Sequence, residues 1–123
     1  MGGFDAYTTS DVLPGSGLSS SAAFEVLVGT VVNSLFFADK ASALQIAQVG
    51  RYAENNYFGK PSGLMDQAAS AYGGFTAFDF RDSEHVGVRQ VGYDFEKSGC
   101  ALCILDTGGS HCDLCLLYTS PSP

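Results

Sequence analysis

Basic residues are scarce in this chain. Its 123 residues hold 6 Lys and Arg against 13 Asp and Glu, a formal net charge of −7. That balance excludes a binder of nucleic-acid backbone, which needs a basic stripe to displace counterions. A nucleotide remains compatible, provided that backbone N–H groups and a metal ion carry the electrostatics. No uninterrupted run of about 18 apolar residues occurs, and on that ground no membrane span is expected. No basic region followed by an apolar stretch opens the chain, so no secretory signal is read and the cytoplasm is expected. Internal repeats are absent too. With only 15% charged and 46% hydrophobic residues, the composition excludes a disordered segment. The length suits a single domain that buries roughly two-thirds of its unfolded surface.

The 4 cysteines fall at Cys100, Cys103, Cys112 and Cys115, two C-x2-C pairs with the spacing of a small zinc ribbon. The context opposes that reading. Residues 100–105 form an apolar, strand-like run in which positions three apart face opposite ways, and no turn residue separates the two thiols. Incidental thiols are the expectation, with a small zinc-binding module as a remote alternative.

Residues 4–12 favour β structure, through Tyr7, Thr8, Thr9 and Val12. One Pro and two glycines at 13–17 break the pattern. A helix is expected over 20–37, with Ala22, Ala23, Val26, Leu27, Val31, Leu35 and Phe36 on more than one face and therefore deeply buried. A second helix is expected over 40–57, capped by Asp39, with Leu44, Ala47 and Ala53 in the core and the 59–61 Gly-Lys-Pro stretch as its stop. A third, capped by Ser62, runs over 62–72 and ends at Gly73 and Gly74. Strands are read at 75–80, 86–93 and 101–106. This order predicts an α+β fold with helices covering one sheet face.

Three stretches carry residue types suited to chemistry. Residues 13–22, LPGSGLSSSA, lead glycines directly into a helix start, where free N–H groups and the helix dipole suit an anion such as phosphate. No Lys-Ser/Thr pair follows the second glycine, so this is not the Walker loop. The plain alternative is a turn with a serine cap. Asp66, in SGLMDQ (62–67), is placed in the first turn of the third helix, as a dipole-stabilised cap or as a general base for a substrate hydroxyl. Glu54 lies near the C-terminus of the second helix, where the dipole disfavours it. It calls for a metal, solvent, or a cation such as Lys60 or Arg51. His85 reads as solvated, and His111 as a loop residue at a strand exit.

Together these stretches resemble the galactokinases of the GHMP small-molecule kinase superfamily. LPGSGLSSSA (13–22) is similar to that superfamily's phosphate loop, in the triple-serine form typical of galactokinases. GKPSGLMDQAAS (59–70) resembles the substrate-site helix, AENNYFG (53–59) precedes it in the proper order, and LDTGGSH (105–111) resembles a later strand and loop.

The resemblance implies a mixed β-sheet backed by helices, the superfamily's amino-terminal domain. It implies that Gly15, Ser16, Gly17, Leu18, Ser19, Ser20 and Ser21 wrap the phosphates of ATP, and that Ser21 and Glu54 ligate Mg2+. Asp66 would be the catalytic base at the anomeric hydroxyl of the sugar, and Gly63 would contact that sugar. The implied reaction is ATP + α-D-galactose → ADP + α-D-galactose 1-phosphate, the entry of galactose into the Leloir pathway. The implied partners are galactose and ATP, with no nucleic acid and no membrane. Alternatives within the resemblance are a kinase of another hexose such as N-acetylgalactosamine, or a non-catalytic galactose sensor.

Relatives are much longer. Residues 1–114 are therefore expected to be part of the amino-terminal domain, with its first strands and sugar-recognition segment before Met1 and a carboxy-terminal domain beyond. Cys112 and Cys115 replace Ala and Thr of the family pattern, and residues 115–123 are expected to be a non-native tail from translated adapter sequence. The isolated 123-residue chain is expected to be inactive, with exposed sheet edges and apolar helix faces that favour aggregation.

Overall fold

A computed structural model describes residues 2–82 and 85–105. The expectations for Asp106, His111, the Cys112/Cys115 pair and the 115–123 tail lie outside the described residues. Within them the chain forms helices α1 (Ser20–Phe37), α2 (Ala43–Asn56) and α3 (Met65–Tyr72), then strands β1 (Thr76–Asp79) and β2 (Gly87–Gln90). The α+β class is borne out.

The loop before α1 turns through Gly15 (φ 75°) and Gly17 (φ 76°), left-handed conformations that glycine adopts without a Cβ clash. Helix α1 ends in two further left-handed residues, Ala38 and Asp39, and the Asp39 N–H donates to the Asn33 carbonyl at 3.2 Å. The buried Asn33 amide then clamps the connection to α2. Its Nδ2 donates to the Ala41 carbonyl at 3.1 Å, and its Oδ1 accepts from the Ala41 N–H at 3.0 Å.

Two caps differ from expectation. Helix α2 begins at Ala43 and is capped by Ser42, not Asp39. Ser42 and Gln45 form a capping box that satisfies two end donors reciprocally, whereas Asp39 is held left-handed, away from the extended backbone of a cap. Helix α3 begins at Met65, and Ser62 does not cap it. Asn55 takes Ser62 instead: its Oδ1 accepts from the Ser62 N–H at 2.8 Å and from the hydroxyl at 3.0 Å.

β1 and β2 pair antiparallel, with Thr76 opposite Gln90 and Phe78 opposite Val88. Residues 101–105 and 4–12 form no strand. β-propensity expresses packing against a neighbouring strand, and no described strand lies beside either segment.

The core is small: Ala47, Leu64, Ala68 and Val86, flanked by Leu44, Ala71, Phe78 and Val88. Ala47 and Ala68 are fully covered, so α2 and α3 meet through methyl groups. Deep burial of α1 is not found. Ala22, Val26 and Asn33 are buried, but Leu27, Leu35 and Phe36 are exposed. α1 rests on α2 and α3 along one stripe, while the 4–9 segment shares a hollow with Leu27, Val28 and Val31 and sets Phe4 6.1 Å from Phe36 between ring centres. By length and composition alone α1 also qualifies to cross a membrane, which corrects the exclusion drawn from uninterrupted runs. Its second-turn Glu25 is nevertheless tied to α3 by a hydrogen bond from Gln67.

α1 and α2 pack tightly at Gly29, where an added Cβ would stand 2.8 Å from the Ile46 Cγ2. Gly29→Ala is therefore expected to destabilise the protein by about 1–3 kcal/mol in spite of alanine's better helix propensity. Thermal unfolding checks this, and in an Ile46→Ala background the same substitution should cost much less.

Candidate active site

The glycine loop and the starts of α1 and α3 surround one cavity of 610 Å³. Its lining includes Gly15, Gly17, Ser19, Ser20, Ser21, Glu54, Gly63 and Asp66, drawn from four separate stretches of sequence. Two predicted loop residues stand apart. Leu18 is about half exposed, and Ser16 spends both its hydroxyl and its N–H on the Leu13 carbonyl, at 2.7 and 3.3 Å. They shape the turn that the others line.

Ser19 occupies the cap position of α1 in a left-handed conformation (φ 57°) and makes no side-chain capping bond. Its hydroxyl turns across the cavity and donates to Asp66 Oδ2 at 2.6 Å. The first-turn N–H groups of α1 thus keep no side-chain cap, and they face the cavity with the positive end of the helix dipole. A serine thus holds the cap position, but without the side-chain bond of a serine-capped turn. Asp66, in the first turn of α3, is exposed to the same cavity.

Glu54 projects from the last turn of α2 and is only 3% exposed. Lys60 supplies its counter-charge, Nζ to Oε1 at 2.8 Å, while Arg51 is exposed on α2. The Ser21 hydroxyl donates to the same Oε1 at 3.3 Å, and Gln67 Nε2 donates to Oε2 at 2.9 Å. Gln67 Nε2 also reaches Glu25 Oε2 at 3.1 Å. The two carboxylates fix the orientation of this amide, because the reverse would set its oxygen against them. Gln67 Oε1 is left buried and without a partner. Gly50 makes room for the group: a Cβ there would lie 3.3 Å from Glu25 and 3.5 Å from Gln67.

Burial alone would push the Glu54 carboxyl up, but hydrogen bonding by Lys60, Ser62 and Gln67, with the Lys60 charge, outweighs it and holds Glu54 below the ordinary value. Glu25 goes the other way, raised by burial and by the Glu54 charge against the Gln67 bond. Among the described residues no group of three or more His, Cys, Asp and Glu could hold a metal. Ser21 and Glu54 instead offer two oxygens, the donor set of a hard cation that completes its shell with water and phosphate. The Lys60 ammonium already holds Oε1.

The sequence singled out Ser21, Glu54 and Asp66 but not Gln67 or Glu25. Glu25 stands one helical turn after Ser21 on the same face, a signal that could have found it. Gln67, beside Asp66, carried no signal of its own. His85, read as solvated, is exposed and also pairs with Asp82 at 3.1 Å. Cys100 and Cys103 are exposed free thiols.

Comparison with known proteins gives a family match and several relatives. The family described as the GHMP kinases N terminal domain matches residues 2–74. The galactokinase of Streptomyces coelicolor is 38% identical over 109 residues, covering 89% of this chain and 28% of the relative. That of Mycobacterium tuberculosis is also 38% identical over 109 residues, covering 85% and 28%. The galactokinase of Lacticaseibacillus casei is 45% identical over 71 residues, covering 58% and 18%. No solved structure matches. The chain thus spans 28% of the length of the first two relatives.

A carboxyl raised by folding costs stability above its ordinary value of 4.5, and the cost vanishes below it. One lowered by folding contributes stability above 4.5 that is lost as pH falls through its folded value. Glu25→Gln is therefore expected to raise the melting temperature near neutral pH and to lose that gain below pH 4.5, whereas Glu54→Gln lowers it near neutral pH. Melts across a pH series check both signs.

Proposed function

The chain belongs to the GHMP kinase family, and on that premise we propose that it carries the phosphate-binding and catalytic region of a galactokinase. The reaction is transfer of the terminal phosphoryl group of ATP to the anomeric hydroxyl of galactose, in the cytoplasm. The observation that carries this reading is the single cavity that unites the 15–21 loop, Glu54 and Asp66. A loop suited to phosphate and a carboxylate suited to a proton face one space large enough for both reactants.

The geometry supports the following roles. Backbone N–H groups of the loop and of the first turn of α1 bind the phosphates and stabilise charge on the transferring group. Ser21 and Glu54 hold Mg2+, which when bound neutralises charge on the nucleotide phosphates. Gly63, without a side chain at the cavity wall, lets the sugar approach the backbone. Asp66 takes the proton from the anomeric hydroxyl. With Oδ2 engaged by Ser19, Oδ1 is the oxygen that receives it, and the Ser19 bond fixes the direction of the carboxylate. Both reactants are held by the same rigid loop and helix starts, so positioning supplies much of the acceleration.

The test is galactose-dependent ADP release by the full-length gene product, with N-acetylgalactosamine and glucose as competing acceptors. Asp66→Asn is expected to lower turnover by about 10²–10⁴-fold while nucleotide affinity persists. Undiminished turnover in Asp66→Asn, or a stronger rate with another hexose, would contradict the assignment.

A further inference from the structure

Lys60 stands where two demands on Glu54 meet. Glu54 Oε2 is taken by Gln67, so a cation shared by Ser21 and Glu54 uses Oε1, the oxygen that Lys60 already holds at 2.8 Å. An ammonium and a divalent cation on one carboxylate oxygen repel each other strongly in a half-buried site. Lys60 is the partner that can leave. Its side chain is 45% exposed against 5% for that of Glu54, and a four-carbon stem gives it more reach than the short carboxylate side chain it leaves. Its main chain stays fixed meanwhile, because the Lys60 N–H donates to the Glu54 carbonyl at 3.2 Å. Lys60 also lines the cavity that contains the 15–21 loop, so the phosphates assigned to that loop lie within its sweep.

We propose that Lys60 is a displaceable counter-cation and a nucleotide-phosphate ligand. It neutralises Glu54 in the empty site, yields Oε1 to the metal as metal and nucleotide enter, and turns its ammonium to a phosphate oxygen. The exchange keeps the buried carboxylate compensated at every stage. It rests on the assignment of Ser21 and Glu54 as the metal pair.

The test separates the two roles on the full-length gene product. Mn2+ binding without nucleotide is followed by electron paramagnetic resonance, and ADP binding without divalent metal by calorimetry. Lys60→Met is expected to bind Mn2+ about tenfold more tightly and metal-free ADP about tenfold more weakly, the order expected of one unit charge in a half-hydrated site. Lys60→Gln, which keeps a donor for Glu54 if Met impairs folding, should show the same opposed shifts. Lys60→Arg should restore both affinities towards wild type. A merely structural ion pair predicts that both affinities fall together, with a lowered melting temperature. Unchanged or weakened Mn2+ binding in a variant with an intact melt overturns the proposal, and so does unchanged ADP binding. If Ser21→Ala/Glu54→Gln binds Mn2+ as tightly as wild type, the metal-pair assignment itself fails, whatever Lys60 does.

Discussion

A carboxylate buried at the end of a helix is the constraint around which the rest of this molecule is arranged. Glu54 is 3% exposed, and burial of an unpaired charge is among the costliest arrangements a fold can hold. Its compensation comes from three directions: Ser21 at the start of α1, Lys60 in the turn after α2, and Gln67 in α3. Satisfying Glu54 therefore fixes how three helices meet. Gly50 permits the approach, and Gln67 extends the network to Glu25. The same constraint sets the cavity, because the loop that delivers Ser21 also delivers Ser19 to Asp66. The small apolar core of Ala47, Leu64, Ala68 and Val86 backs this polar centre.

Much of the site was legible because its signals are local. The glycines at 15 and 17 announce a turn that only left-handed residues can make, and the structure places both there. The helix stops announced themselves through Gly59, Pro61 and Gly73, and Glu54 and Asp66 were assigned to the correct ends of α2 and α3. What failed depended on competition between neighbours. Asp39 and Ser42 are both good caps in isolation, and Gln45 decides between them by answering Ser42. Ser62 is likewise a good cap that Asn55 takes for another purpose. Gln67 was invisible because its role exists only once Glu25 and Glu54 are brought together across three helices.

The β regions were the least legible. Residues 4–12 and 101–105 carry strand-forming side chains, yet pairing needs a partner strand, and the described residues supply only β1 and β2 to each other. The apolar positions of α1 were read correctly as apolar, but Leu27, Leu35 and Phe36 were wrongly read as buried with Ala22 and Val26. Periodicity reports what a face is made of, not what lies against it. The polar centre escapes this limit, since hydrogen-bonded groups must be answered by definite partners and those partners lie in these helices and the turn after α2.

The central claim is that Glu54, Asp66 and the 15–21 loop form one site for a nucleotide and a sugar. The most direct measurement is a crystal structure of the full-length gene product with Mg2+, a non-hydrolysable ATP analogue and galactose. The account predicts phosphates on the loop, the metal against Ser21 and Glu54, and the anomeric oxygen of the sugar within hydrogen-bond distance of Asp66. A nucleotide bound elsewhere, or a sugar whose anomeric oxygen lies away from Asp66, would contradict it.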